Sequence, residues 1–205
     1  MIATVEAESP KYTAPLLLLH GLWCTAAVWR PFMGYFSHLG WTCHALTLSG
    51  HGVPADLERI AHAGFSDLLE EVRNAIANCE ASPVLIGHDL GGLLALHCAH
   101  LARAIVALAP TLPSPPGIAQ SATLRDWRTW LLRWRSSLLP APEGALAVEY
   151  AIRQPPGGMT PESGRLLSEL VHHKLPPEGK GVAPTLLVAG QADAESPPDQ
   201  VERLA

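Results

Sequence analysis

Asp89 is the residue in this sequence best placed to do chemistry, because it stands at the centre of the pentapeptide Gly87-His88-Asp89-Leu90-Gly91. An apolar run precedes this pentapeptide and another follows it, so the pattern predicts a strand, a sharp turn and a helix. The glycines suit a turn in which a Cβ would collide with neighbouring backbone. Two interpretations stay open: the carboxylate is a nucleophile, or it is only the N-cap of the helix.

Around this turn, short apolar runs alternate with helical patterns, which predicts an α/β fold with a mostly parallel central sheet and helices on both faces. The predicted strands are 15–19, 42–48, 83–86, 104–109 and 185–189, and the predicted helices are 25–39, 66–78 and 93–101. We expect Thr25 to be the N-cap of the first helix and Gly40 to end it. The helix 93–101 is apolar nearly all round, so it should be buried.

The segment 111–180 differs from the rest, because it holds most of the prolines and no strand pattern. We predict that it forms a helical lid between the last two predicted strands. Thr160-Pro161 is typical of a helix start within it. Trp127 and Trp130 lie on an apolar helical stripe and are predicted to contact substrate, the alternative being that this stripe only packs the lid onto the domain.

Four blocks of the sequence, taken in chain order, resemble the motifs of the α/β-hydrolase superfamily. Residues 17–23 with 29–32 are similar to the oxyanion-hole strand and the helix that follows it, and 44–52 to the next strand with its Gly-His-Gly loop. Residues 87–92 are similar to the nucleophile turn, and 186–193 to the strand that delivers the acid. The resemblance implies a single α/β-hydrolase-like domain over 1–205.

The resemblance also implies roles for individual residues. Backbone N–H groups of Leu22 and Leu90 would form the oxyanion hole. Asp193 would orient a histidine imidazolium, and Trp23 would contact the substrate. Aspartate at the position of Asp89 is typical of epoxide hydrolases and haloalkane dehalogenases, where the carboxylate forms an alkyl-enzyme ester that water then hydrolyses.

The histidine that should follow Asp193 is not found, since the last histidine of the sequence is His173. We therefore expect that the usual base, with the last strand and helix of the fold, is absent and that turnover is weak or nil. His172 or His173 is the alternative base. Strand 185–189 would then lie at an open sheet edge, which predicts a homodimer formed by edge pairing.

Two other departures concern the neighbours of the expected nucleophile. Leu90 stands where Asp-nucleophile enzymes commonly have tryptophan, and Leu22-Trp23 stands where they usually have a proline. These residues favour a serine-esterase frame in which Asp89 replaces the serine. The predicted function is hydrolysis of a small apolar ester, lactone, epoxide or alkyl halide, and the alternative is a non-catalytic or truncated hydrolase-like protein that binds a small molecule.

Composition excludes several other classes of function. The 205 residues carry a net charge of -5, so a nucleic-acid-binding surface is not expected. The four cysteines form no Cys-x-x-Cys pair, so we predict no metal site, and no cofactor is expected. No apolar run reaches the length of a membrane span, and the N-terminus lacks a signal-peptide layout. The predicted location is the cytoplasm.

Overall fold

A six-stranded sheet organises the computed structural model, which describes residues 1–112, 137–141, 158–172, 183–193 and 196–204. Its strands are β1 (Ile2–Val5), β2 (Leu16–Leu19), β3 (Cys43–Leu46), β4 (Val84–His88), β5 (Ala104–Leu108) and β8 (Thr185–Val188). The spatial order is β1-β3-β2-β4-β5-β8. Only β1 runs antiparallel to its neighbour, so the predicted mostly parallel sheet is confirmed.

The six α-helices of the described residues are α1 (Arg30–His38), α2 (Leu57–His62), α3 (Phe65–Ala77), α4 (Leu90–His97), α5 (Gly164–His172) and α6 (Pro198–Val201). Strand β2 alternates between two cores, because Leu17 and Leu19 face one cluster while Leu16 and Leu18 face another. Helices α3, α4 and α5 pack in the first cluster and α1 packs in the second. Helices therefore cover both faces of the sheet.

The local signals around the first helix predict its ends correctly. The Thr25 hydroxyl accepts the Ala27 N–H at 3.2 Å, and a 3₁₀ turn over Ala26–Trp29 leads directly into α1. Gly40 has φ +99°, the left-handed conformation that ends helices. All eight residues of α4 are buried, as its uniformly apolar sequence indicates.

The prediction of no strand within 111–180 is wrong, because β6 (Leu138–Leu139) and β7 (Glu162–Ser163) form an antiparallel pair. The helix start predicted at Thr160 is also wrong, since α5 begins at Gly164. The Thr160 N–H instead donates to the Trp23 carbonyl, and β7 is held by its pairing with β6. The Ser163 hydroxyl accepts the Leu166 N–H in the first turn of α5. Trp127 and Trp130 lie outside the described residues.

Strand β1 was not predicted from the sequence. All four of its residues are exposed, so it carries no apolar alternation to indicate a strand. It is held by pairing with β3. Across the described part of the chain, the structure contains no helix long and apolar enough to cross a membrane.

Candidate active site

The turn that joins β4 to α4 forces Asp89 into an unusual backbone conformation. Its φ is +53° and its ψ is -119°, which few non-glycine residues adopt. A Cβ on Gly87 would lie 2.1 Å from the Gly91 carbonyl oxygen, and a Cβ on Gly91 would lie 2.2 Å from the Leu19 carbonyl oxygen. Glycine is therefore required at both positions, and the Asp89 side chain is presented at the carboxyl end of the sheet.

Both oxygens of the Asp89 carboxylate accept hydrogen bonds from distant residues. The Leu22 N–H donates to Oδ2 at 2.9 Å, and the Thr111 hydroxyl donates to Oδ1 at 2.5 Å. Asp89 occupies the N-cap position of α4, but its side chain makes no capping hydrogen bond. The interpretation of this carboxylate as a simple N-cap is therefore excluded.

The loop that follows β2 makes this contact possible. A Cβ on Gly21 would lie 2.8 Å from Asp89 Oδ2, so only glycine lets the loop approach so closely. The next residue, Leu22, then aims its N–H at the carboxylate. We call residues 20–23 the oxyanion loop, after the oxyanion hole that the sequence predicts there. Leu90, the other predicted contributor to the hole, is the first residue of α4, and its side chain is buried.

The oxyanion loop ends in a strained residue, Trp23, whose φ is +58°. Its N–H donates to Glu162 Oε2 at 3.3 Å, and its carbonyl accepts the Thr160 N–H at 2.9 Å. Both backbone groups of Trp23 are thus bound by the segment that precedes α5. The indole packs in the larger core at 7% exposure.

The Asp193 turn lies at the same end of the sheet and is linked to Asp89 through an intermediate loop. Asp193 Oδ1 accepts the Ser196 N–H at 2.9 Å. The Ser196 hydroxyl contacts the carbonyls of Ala109 and Pro110, the two residues before Thr111. This chain of contacts fixes the loop that supplies the Thr111 hydroxyl to Asp89.

Glu162, which sequence reasoning missed, forms a buried pair with His51 next to the oxyanion loop. Both residues are 1% exposed, and His51 Nε2 lies 3.2 Å from Glu162 Oε2. Burial acts to lower the pKa of His51, but the hydrogen bond and charge of Glu162 outweigh it and raise that pKa. The Gly-His-Gly motif draws attention to His51, whereas Glu162 carries no local signal.

His20 lies beside this pair and remains neutral. Its Nδ1 donates to the Gly21 carbonyl at 2.9 Å, and its Nε2 accepts the Leu48 N–H at 3.1 Å, so one tautomer satisfies both contacts. Burial and the nearby His51 lower the pKa of His20 to about 4. This geometry assigns His20 to packing and to hydrogen bonding within the turn.

The thiol of Cys24 is influenced by the charged groups of the site. Burial, together with the charges of Asp89 and Glu162, raises the pKa of Cys24 to about 12. A thiol with so high a pKa is almost entirely protonated at neutral pH and is a poor nucleophile. Cys24 is therefore not a candidate nucleophile.

Among the described residues, the hydrogen-bond donors to the Asp89 carboxylate are the backbone N–H of Leu22 and the hydroxyl of Thr111, and neither residue is a histidine. The side chains of His172 and His173, the predicted alternative bases, lie outside the description. The described residues also contain no cluster of His, Cys, Asp and Glu suited to a metal ion.

Comparison with known proteins agrees with this geometry. The model of the alpha/beta hydrolase family matches residues 16–205, so the chain belongs to the α/β-hydrolase family. In solved structures, a monoacylglycerol lipase from Paleococcus ferrophilus superposes with a TM-score of 0.74 at 22% identity, over 100% of this chain and 83% of that one. This similarity supports the predicted α/β-hydrolase fold.

Two curated relatives match shorter stretches. A pimeloyl-[acyl-carrier protein] methyl ester esterase from Aliivibrio salmonicida is 32% identical over 113 residues, covering 55% of this chain and 40% of the relative. A carboxylesterase from Bacillus subtilis is 34% identical over 85 residues, covering 40% of this chain and 34% of the relative. These matches span well under half of each relative's length.

Proposed function

We propose that this chain is a hydrolase for a small apolar substrate and that Asp89 attacks a saturated carbon, as in an epoxide or an alkyl halide. The observation that carries the proposal is the 2.9 Å hydrogen bond from the Leu22 N–H to Asp89 Oδ2. An ester or a lactone would need this N–H for its own developing oxyanion. Because Asp89 already holds it, attack on an acyl carbon lacks that stabilisation.

The proposed step balances without a cofactor. Asp89 Oδ1 supplies the electron pair of the new carbon–oxygen bond. The carbon–halogen bond breaks and halide leaves, or the epoxide ring bond breaks and the alkoxide takes a proton from water. In the resulting ester Oδ2 is the carbonyl oxygen, so the oxyanion that forms during hydrolysis would develop on an atom that already contacts Leu22.

In the proposal, ester formation is faster than ester release, so the alkyl-enzyme accumulates. The described residues place no histidine against the Asp89 carboxylate, and loss of the base slows such reactions by orders of magnitude. Asp193 occupies the proposed position for orienting a histidine, for which His172 and His173 are the candidates, and the Leu90 N–H is the proposed second donor of the hole. Trp23, Trp127 and Trp130 remain the proposed contacts to substrate.

One observation favours the second candidate function, a non-catalytic member of the family that binds a small molecule on an esterase frame. Thr111 and Leu22 together occupy both oxygens of Asp89, at 2.5 and 2.9 Å. A carboxylate so held is a weaker nucleophile because its lone pairs are already engaged. The two candidates differ in whether Asp89 reacts.

Incubation with styrene oxide followed by intact mass spectrometry distinguishes them. We expect one adduct with the mass of the epoxide, located at Asp89 by peptide mapping and lost in Asp89→Asn, which keeps the size of the side chain. Alkaline hydroxylamine should remove the adduct, since it cleaves an ester and not a thioether. No adduct at Asp89 would contradict the proposed nucleophile and favour the binding protein.

A nitrophenyl ester tests whether this chain hydrolyses esters, the activity for which the two curated relatives are named. We expect little hydrolysis by the unmodified chain, and appearance of an acyl-enzyme in Asp89→Ser, because a serine hydroxyl would leave the Leu22 N–H free. Efficient nitrophenyl ester hydrolysis by the unmodified chain would contradict the preference for saturated carbon.

A further inference from the structure

The oxyanion loop is bound on its two sides by two different carboxylates. Leu22 donates its N–H to Asp89, and the next residue, Trp23, donates its N–H to Glu162. Because Trp23 has φ +58°, its peptide is held in a conformation that an unconstrained non-glycine residue rarely adopts. Something outside the loop must stabilise that conformation.

We propose that Glu162 is a positioning residue: its buried carboxylate, paired with His51, holds Trp23 in the left-handed conformation and thereby keeps the Leu22 N–H aimed at Asp89. Glu162 touches no reacting atom and acts only through the loop. The segment before α5 thus controls the geometry of the oxyanion hole. The proposal concerns this geometry and does not depend on whether Asp89 reacts.

The contacts of Glu162 require a carboxylate and not merely a polar side chain. Oε2 accepts from both Trp23 and His51, while Oε1 accepts from the Ser163 N–H at 3.1 Å. A glutamine amide has only one acceptor oxygen, so in either orientation its NH₂ group would face a backbone N–H. Glu162→Gln is therefore nearly isosteric but leaves Trp23 or Ser163 without an acceptor. In the orientation that keeps the bond from Trp23, the acceptor is a neutral oxygen and the bond is weaker than that to a carboxylate.

The proton positions follow from the acceptors around His51. Its Nδ1 lies 2.8 Å from the Ser49 carbonyl, which can only accept, and its Nε2 faces Glu162. When His51 is protonated, both ring nitrogens donate. When it is neutral, one nitrogen must place a lone pair against an oxygen, so the contact with either Ser49 or Glu162 becomes repulsive.

Among the charged and titratable groups near the pair, His51 is the one whose protonation state we expect to control the loop. His20, with its ring centroid 5.5 Å from that of His51, has a pKa of about 4, and Cys24 has a pKa of about 12. The charge of Glu71 also acts to raise the pKa of His51, and Glu71 is paired with Arg59 at 3.2 Å. As the pH rises above 6.5, the proton of His51 is therefore the first one expected to leave this cluster.

A matched control lies on the same segment. Glu169 Oε2 accepts the Phe65 N–H at 2.6 Å and thereby ties α5 to the start of α3, as Glu162 ties β7 to the oxyanion loop. The Glu169 carboxylate contacts Phe65 and Arg165, neither of which lies in the oxyanion loop. Glu169→Gln therefore perturbs the docking of this segment without removing a contact to the loop.

The test follows the Leu22 amide proton by NMR in the full chain. A bond to a carboxylate moves this signal downfield, so it should move upfield in Asp89→Asn, which sets the scale. In Glu162→Gln we expect an upfield movement with hydrogen exchange of Leu22 faster by roughly tenfold or more, the effect of weakening one bond to a charged group. In Glu169→Gln the Leu22 signal should stay in place.

Unmodified protein provides a second measurement if Glu162→Gln does not fold. Raising the pH from 6.5 through the raised pKa of His51 removes its proton, so exchange of Leu22 should increase beyond its intrinsic rise with pH. Amides in the middle of α4 should follow the intrinsic rise alone. Titration of His51 is followed by the signal of its ring proton between the two nitrogens.

Three results would overturn the proposal. The first is an unchanged Leu22 signal and exchange rate in a folded Glu162→Gln. The second is an equal effect in Glu169→Gln, which would show general loosening. The third is protection of Leu22 that stays constant while His51 titrates. Absence of the styrene oxide adduct would overturn the proposed nucleophile and leave this result standing, so the two failures are distinguishable.

Discussion

Asp89 and Glu162 bind consecutive N–H groups of one loop, yet their surroundings differ. Asp89 is partly buried, and its donors are a backbone N–H and a hydroxyl, both uncharged. Glu162 is 1% exposed and is paired with the imidazole of His51. A carboxylate with neutral donors keeps its charge available to a ligand, whereas a buried, paired carboxylate can only hold its neighbours in place. The difference separates a candidate reactive group from a positioning group.

Loss of Glu162 should have the largest effect on stability. We expect Glu162→Leu to lower the free energy of unfolding by about 3–5 kcal/mol, because it leaves the His51 ring and the Trp23 N–H buried without their partner. Urea denaturation measures this. The double variant His51→Phe with Glu162→Leu should recover part of the loss, and a loss below about 1 kcal/mol in the single variant would show that the pair is not integral to the fold.

The two neighbouring histidines should shape the pH dependence of stability in opposite ways. The folded-state pKa of His20 is lowered from 6.5 to about 4, so the unfolded chain takes up a proton that the fold excludes, and stability falls as pH falls through this window. The pKa of His51 is raised, so its contribution is present below pH 6.5 and is lost as pH rises through the folded value. The free energy of unfolding should therefore peak near pH 6.5.

On the acid side of this profile, up to about 3 kcal/mol should be lost for His20. Urea denaturation at a series of pH values measures the profile. His20→Gln, which keeps one donor and one acceptor but has no proton to gain, should flatten the acid side and leave the alkaline side unchanged. An unaltered acid side in that variant would assign it to other groups.

Removal of the Thr111 hydroxyl should make the Asp89 carboxylate more reactive and so increase its difference from Glu162. We expect Thr111→Val to cost about 1 kcal/mol of stability and to raise the rate of adduct formation with styrene oxide, because Oδ1 is released from its donor. The control is Thr160→Val, since the buried Thr160 hydroxyl has no partner among the described residues and its loss should cost little. A slower reaction in Thr111→Val would instead assign Thr111 to holding Asp89 in its reactive position.

The smallest effect concerns the sheet edge, two strands away from the strand that leads to Asp89. Strand β8 is the last strand of the described sheet, and Leu186 and Val188 are 57% and 42% exposed. We predict a weak homodimer through this edge, disrupted by Leu186→Lys because edge lysines block pairing. Sedimentation equilibrium measures it, and a monomer at high concentration in the unmodified chain would contradict the prediction.

Apolar runs in the sequence, together with the residues that cap helices and form turns, predict most of the strands and helices. The buried strands β2, β4 and β5 appear where the runs place them, because a strand covered on both faces needs a continuous apolar stretch. The same reasoning misses β1, which is exposed and held by pairing alone. It also fails around Thr160, where long-range contacts override a good helix-start signal.

What the sequence alone determines is the nucleophile turn. The spacing of Gly87, Asp89 and Gly91 predicts this sharp turn, because a Cβ on Gly87 would collide with the Gly91 carbonyl only four residues further along the chain. Only the tertiary structure decides what the carboxylates contact. Asp89 and Leu22 are 67 positions apart, and Glu162 and His51 are 111 apart, so packing of the whole domain, and no local pattern, brings these groups together.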